Sequence, residues 1–123
     1  VILSNTTIAR PSTLTSRFAQ QTGGLSGAPL TQKAQAMMKT AYAHVKDELP
    51  LIGVGGLMSA ADAVARIRAG ASLLQLYTGL IYHGMGLVTQ IKQALLAELE
   101  KEGFTEMRQL IGVDHEQIHA SME

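Results

Sequence analysis

An α/β fold built on a parallel sheet is predicted by three features of the chain. Short apolar runs alternate with helix-patterned segments, in the order strand, helix, strand, helix, strand, helix. The runs are apolar without alternation, as strands buried on both faces are. Each run also ends in a turn of small residues: Ser4-Asn5-Thr6-Thr7, Gly55-Gly56 and Tyr77-Thr78-Gly79. Helical connections between such runs return the chain across the sheet, so that neighbouring strands run parallel.

The first strand is Val1-Ile2-Leu3, expected to be buried, with Ser4–Thr7 at its carboxy-terminal tip. Small polar side chains at a tip hydrogen-bond a ligand or turn the chain. A chain that opens inside an apolar run is expected to be a piece of a longer protein. Residues 8–29 form a long connection rich in Ser, Thr, Gly and Pro, read either as a functional loop or as a mobile surface link. Leu30–Lys46 is helical, with Leu30, Ala34, Met37, Met38, Ala41 and Val45 on one face. The methionine pair reads as core filler. Lys33, Lys39 and Lys46 are expected to face water, and His44 to sit on the surface without a partner.

Pro50 ends that region and Leu51–Val54 is the second strand. Ser59, with Asp62 three residues on, has the pattern of a capping box. The helix it opens turns Ala63, Val64 and Ile67 inward and stops at Gly70, a natural residue just past a helix end. Ala71–Leu76 is the third strand. The last long helix, Leu87–Glu102, carries Val88, Ile91, Leu95 and Leu99 on one face and ends at Gly103. Residues 104–123 read as a helical tail with two short turns. One is capped by Thr105, with Met107, Leu110 and Ile111 packing back; the other is capped by Asp114 with Gln117.

Composition narrows the function. Hydrophobic residues make up 46% of the 123 positions and charged residues 16%, enough apolar material for a core. Ten basic side chains balance ten acidic ones, so no basic field exists to hold nucleic acid or an anionic membrane surface. The absence of cysteine excludes disulfides, thiolate metal sites and cysteine nucleophiles. No apolar run approaches the roughly 20 residues that span a bilayer.

Gly55-Gly56 carries the strongest chemical signal. A strand, a glycine pair and a capped helix start form a turn that brings backbone N–H groups close to an anion, most often a phosphate. In a (β/α)8 barrel the phosphate site is commonly built from the loops after strands seven and eight. The last two strands of the chain take those places, and Val1–Leu3 takes the end of strand six. Three strands close no barrel. Residues 1–103 are therefore expected to be the carboxy-terminal part of a (β/α)8 barrel, about strands 6–8 with their helices, followed by the tail 104–123.

His115-Glu116-Gln117-Ile118-His119 matches H-E-x-x-H, in which two histidines on one helix face bind zinc. Only Glu123 follows as a further ligand. The reading adopted is a polar terminal helix with two surface histidines and no metal. No Ser-His-Asp set and no carboxylate pair stands at the strand tips. Arg10 and Lys33 are the nearest basic side chains, both read as structural or solvated.

Four blocks in order, Ser4-Asn5-Thr6-Thr7, Gln21–Leu30, Ile52-Gly53-Val54-Gly55-Gly56 and Leu76-Tyr77-Thr78-Gly79, resemble the carboxy-terminal half of dihydroorotate dehydrogenase. The Asn-Thr-Thr block resembles the class 2, quinone-reducing branch. The resemblance implies an FMN-containing barrel that oxidises dihydroorotate to orotate in pyrimidine synthesis. Electrons then pass to a membrane quinone, and the whole enzyme lies peripherally on the cytoplasmic face of the membrane. It implies substrate contacts from Asn5 and Thr6, and flavin contacts from Ser4 and Gly27. The flavin phosphate would be held by Gly56, Tyr77 and Thr78, with Gly55 beside them. The family's catalytic base, a serine in class 2, comes from an earlier loop, and the membrane- and quinone-contacting helices also precede the barrel. Neither lies in this chain, so the piece alone is expected to be inactive. A half-barrel that assembles with its complement or with itself is the non-enzymatic alternative.

Overall fold

The computed structural model describes residues 1–115. Three strands, β1 (Ile2–Leu3), β2 (Ile52–Val54) and β3 (Leu73–Gln75), form a parallel sheet in sequence order. Ile2 pairs with Ile52 and Ile52 with Leu73. Because side chains alternate across a strand, this register puts Ile2, Ile52 and Leu73 on one face and Leu3, Gly53 and Leu74 on the other.

The second face carries the helices. α1 (Thr31–Val45), α2 (Ala60–Arg68) and α4 (Gly86–Glu102) are the main ones, and α3 (Thr78–His83) is a short one after β3. Leu3 and Leu74 pack against a buried cluster that includes Met38, Leu51, Ile67, Leu99 and Leu110. The first face is open. Val1 and Ile2 are 60% and 55% exposed and Leu73 is 60% exposed. The expectation of a buried first strand is thus corrected: helices cover one side of the sheet, and the other side leaves Ile2 and Leu73 exposed.

Local signals set most element ends. The Ser59 hydroxyl accepts from Asp62 N at 3.1 Å and donates to Asp62 Oδ2 at 2.9 Å, which caps α2 as its sequence pattern predicts. Gly103 adopts a left-handed conformation and closes α4. Ala63, Ile67, Ile91 and Leu99 are buried as expected.

Several expectations differ. Met37 is 44% exposed, because the buried positions of α1 are Ala34 and Met38, one turn apart. The third strand is shorter than Ala71–Leu76, and Ala71 is buried beside it. α3 was not anticipated from the sequence. His44 does have a partner, its Nδ1 lying 2.7 Å from the Thr40 carbonyl one turn back. Residues 8–29 are tied down by an antiparallel bridge between Thr7 and Leu25, and Arg10 donates to the carbonyls of Gln21 at 2.9 Å and Gly23 at 2.6 Å. The turn after α4 is capped by Glu106 with Gln109, not by Thr105. Leu110 and Val113 are buried in the main cluster, with Phe104 and Ile111 against it. The second expected tail turn, Asp114 with Gln117, runs outside the described residues.

Candidate functional site

Parallel strands bring their carboxy-terminal tips to one edge of the sheet. A pocket of about 200 Å³ lies there. Ser4, Asn5, Thr6, Gly27, Gly55, Gly56, Tyr77 and Thr78, from four separated stretches of sequence, all line it.

The first wall continues β1. Ser4 N donates to Val54 O at 3.3 Å, extending the β1–β2 pairing to the tip. The Asn5 side-chain oxygen accepts from Thr6 N at 2.8 Å, a local turn that fixes the amide group. Reciprocal bonds between Thr7 and Leu25, 3.0 and 2.7 Å, bring the long connection back over this tip. Gly24 is held so close to Thr6 that a Cβ there would meet its Oγ1 at 1.9 Å.

That connection delivers Ser26 and Gly27 to the far wall. Ser26 Oγ accepts from the Thr78 hydroxyl at 3.0 Å, and Gly27 is buried against the Thr78 methyl. Tyr77 directly precedes α3 and is 77% exposed. Gly79 lies against the Leu57 carbonyl, leaving no room for a side chain.

The floor is the Gly55-Gly56 turn. Both residues have positive φ, 92° and 67°, which favours glycine at each. A Cβ on Gly56 would come 2.4 Å from the backbone of Thr31, whose hydroxyl donates to Gly56 O at 2.7 Å. Behind the turn lies Arg66, 1% exposed. Its Nη2 donates to Gly55 O at 3.1 Å, its Nη1 to Val54 O at 3.4 Å and its Nε to Gln35 Oε1 at 2.9 Å. Burial lowers the Arg66 pKa, and the nearby Asp62 charge partly opposes that shift.

Among the described residues the lining offers hydroxyls, the amides of Asn5 and Gln75 and backbone groups, but no carboxylate, imidazole, amine or thiol. Groups of this kind can donate hydrogen bonds to a ligand and accept them from it. Besides Arg66 behind the floor, Lys33 lines an adjoining cavity and donates to Thr7 Oγ1 at 3.4 Å.

Sequence reasoning missed Arg66. Its signal was Gly53, a glycine inside a strand, which marks a close approach. A Cβ on Gly53 would lie 2.7 Å from Arg66 Cγ. Of the H-E-x-x-H motif only His115 is described. It is half-buried, its ring lies tilted against that of Tyr42 with centroids 5.1 Å apart, and its Nε2 is 3.2 Å from the Ala69 carbonyl. Glu116 to His119 lie outside the described residues. Among the described residues no group of three potential ligands converges on a metal position, and no helix is long and apolar enough to cross a membrane.

Comparison with known proteins gives one family. The family profile described as dihydroorotate dehydrogenase matches residues 1–99. A dihydroorotate dehydrogenase (quinone) of Xanthobacter autotrophicus is 49% identical over 93% of the chain, and one of Rhodospirillum rubrum is 50% identical over 94%. The Arabidopsis thaliana mitochondrial enzyme of that name is 46% identical over 94%. The crystal structure of ligand-free dihydroorotate dehydrogenase from Eimeria tenella superposes with a TM-score of 0.85 at 38% identity, over 93% of the chain. The chain spans 32%, 31% and 25% of those three relatives and 32% of that structure. A barrel-type α/β architecture with a parallel sheet is common to them. The profile match, the identities and the superposition agree, and the chain belongs to the dihydroorotate dehydrogenase family.

Proposed function

We propose that the chain is the strand 6–8 portion of the FMN-binding (β/α)8 barrel of a quinone-dependent dihydroorotate dehydrogenase, residues 1–103, with a tail at 104–123. One observation carries this reading. Eight residues from four distant sequence blocks meet in a single pocket at the tips of three parallel strands.

The pocket suits FMN on two counts. Its floor and far wall are backbone at Gly27, Gly55, Gly56 and Gly79, where side chains would fill the space or strain the turn. Its polar groups are uncharged donors and acceptors from Ser4, Asn5, Thr6 and Thr78. Gly55, Gly56, Tyr77 and Thr78 would hold the phosphate, and Ser4 and Gly27 the rest of the flavin. Asn5 and Thr6 would orient the pyrimidine ring of dihydroorotate. When bound, FMN supplies the acceptor for the hydride that leaves the substrate.

Oxidation to orotate also removes a proton, and no group lining this pocket takes one. That base, and the contacts to quinone and membrane, belong to the remainder of the enzyme. The segment alone is therefore inactive, and the whole protein acts peripherally at the cytoplasmic face of the membrane.

The test uses the full-length polypeptide that carries this segment. It is expected to purify with FMN and to reduce dichlorophenolindophenol when given dihydroorotate. Asn5→Ala is expected to keep its flavin and raise KM for dihydroorotate. An unchanged KM overturns the substrate assignment, and a full-length protein devoid of FMN overturns the reading as a whole.

A second reading is favoured by the exposed Val1, Ile2 and Leu73. A half-barrel with that open face pairs with its complement or with a second copy. Sedimentation velocity at rising concentration decides the second case, since a chain that stays monomeric does not self-assemble.

A further inference from the structure

A charge that is almost wholly buried normally faces an opposite charge. Arg66 does not follow the rule. Its guanidinium is 1% exposed, yet among the described residues no carboxylate stands within ion-pair distance. Asp62, one turn earlier on α2, acts on it only through space, and Asp62 Oδ2 is itself taken by Met58 N at 3.1 Å and the Ser59 hydroxyl at 2.9 Å. The bonds that Arg66 makes go to neutral acceptors, two backbone carbonyls and the Gln35 side chain. Gln35 is held in turn by its donation to Ala65 O at 2.7 Å.

The carbonyls are the informative partners. The peptide joining Gly55 to Gly56 is trans, so its N–H points opposite to its C=O. With Gly55 O drawn to Arg66 Nη2, the Gly56 N–H is turned away from the guanidinium. The turn stands between the cation and the pocket: Val54, Gly55 and Gly56 line the pocket and Arg66 does not. A fixed positive charge behind a peptide whose donor faces outward is an arrangement that favours an anion in front of it.

We propose that Arg66 is a positioning residue for the phosphate end of the flavin, fixing the Gly55–Gly56 peptide with its N–H toward the pocket and lending the floor the charge that selects a phosphorylated flavin over an unphosphorylated one. The proposal rests on the reading of this pocket as an FMN site. It assigns Arg66 no contact with the ligand.

The experiment compares FMN with riboflavin, which lacks the phosphate, on full-length protein stripped of flavin. Affinities are read from flavin fluorescence. Wild-type protein is expected to favour FMN. Arg66→Met removes the charge and keeps much of the bulk. It is expected to weaken FMN about tenfold, the effect of a unit charge acting across roughly 10 Å at intermediate dielectric, and to leave riboflavin unchanged. Arg66→Lys is expected to restore most of the preference. Equal weakening of both flavins by Arg66→Met, or no change in either, overturns the proposal. Should that variant fail to fold, Asp62→Asn decides: loss of the opposing charge raises the FMN-to-riboflavin preference, and an unchanged preference overturns the proposal. Wild-type protein that takes up neither flavin overturns the FMN reading itself, an outcome distinct from loss of the preference alone.

Discussion

The hydroxyl of Thr31 donates to the carbonyl of Gly56 at 2.7 Å, fastening the first residue of α1 to the floor of the pocket. The contact is close because Gly56 has no side chain. Its missing Cβ would sit 2.4 Å from both Thr31 N and Thr31 Cα. Glycine at this position therefore serves helix packing.

Gly56→Ala is accordingly expected to destabilise the fold by about 3 kcal/mol, from overpacking against backbone plus the strain of a positive φ. Thr31→Ala is expected to cost about 1 kcal/mol, one part-buried hydrogen bond, and not to rescue Gly56→Ala, since the clash is with backbone. Urea denaturation of both singles and the double variant reads these terms. A Gly56→Ala protein of full stability contradicts the packing role.

Arg68 gathers three carboxylates: Glu98 at 2.8 Å and Glu102 at 2.6 Å from α4, and Asp114 at 2.8 Å from the carboxy-terminal segment. Arg68→Ala leaves them facing one another and is expected to cost about 2 kcal/mol, less than a fully buried network because all four side chains keep some solvent. Burial by itself would lower the Arg68 pKa, but the hydrogen bonds to Glu102 and Asp114 outweigh it and the net shift is upward. A raised folded-state value gives stabilisation that is complete below the ordinary arginine pKa and lost only as pH climbs past the folded one. The difference between wild type and Arg68→Ala is thus expected to be the same at about pH 7 and about pH 10, where arginine stays charged. A difference that shrinks over that interval contradicts the assignment.

Tyr42 fills a slot between two glycines. A Cβ on Gly70 or on Gly112 would come within 2.2 Å of its ring. Gly112→Ala is expected to cost about 3 kcal/mol. Combining it with Tyr42→Ala is expected to cost less than the sum of the two singles, because the clash disappears with the ring. Strict additivity in a double-mutant cycle rules the slot out.

Ser59 caps α2 with its hydroxyl. Ser59→Ala is expected to lose about 1 kcal/mol and Ser59→Asn much less, since asparagine caps as well as serine does. Thermal denaturation resolves a loss of that size. Equal melting of the alanine and asparagine variants counts against the cap.

The parts of the fold that were legible in the sequence are those fixed by local chemistry. Ser59 with Asp62 announced a helix start, Gly103 a helix end, and the apolar runs three strands in parallel order. The convergence of Ser4, Gly56 and Thr78 was legible because parallel strands carry their tips to one edge, whereas Gly27, on the long connection, came only from the family resemblance. α3 was not, because Thr78–His83 is only six residues long with Gly79 inside it, too short to show a period. Arg66 was not, because on a helix a single arginine reads as solvated. The space that admits it belongs to Gly53, on another element. That three strands leave a face of the sheet uncovered was legible, but that Ile2 and Leu73 lie on it was not, because periodicity reports which face a residue occupies and not whether anything lies over it.

The carboxy-terminal segment acts as a stopper in the base of the core. Leu110 and Val113 are buried there, Gly112 N donates to Ile67 O at 3.2 Å, and Asp114 anchors to Arg68. Shortening the protein to end before Leu110, or cutting it with trypsin after the exposed Arg108, would uncork Ile67 and Leu51 from below while leaving the distant pocket lining chemically whole. A single cleavage would thus separate the pocket from its support.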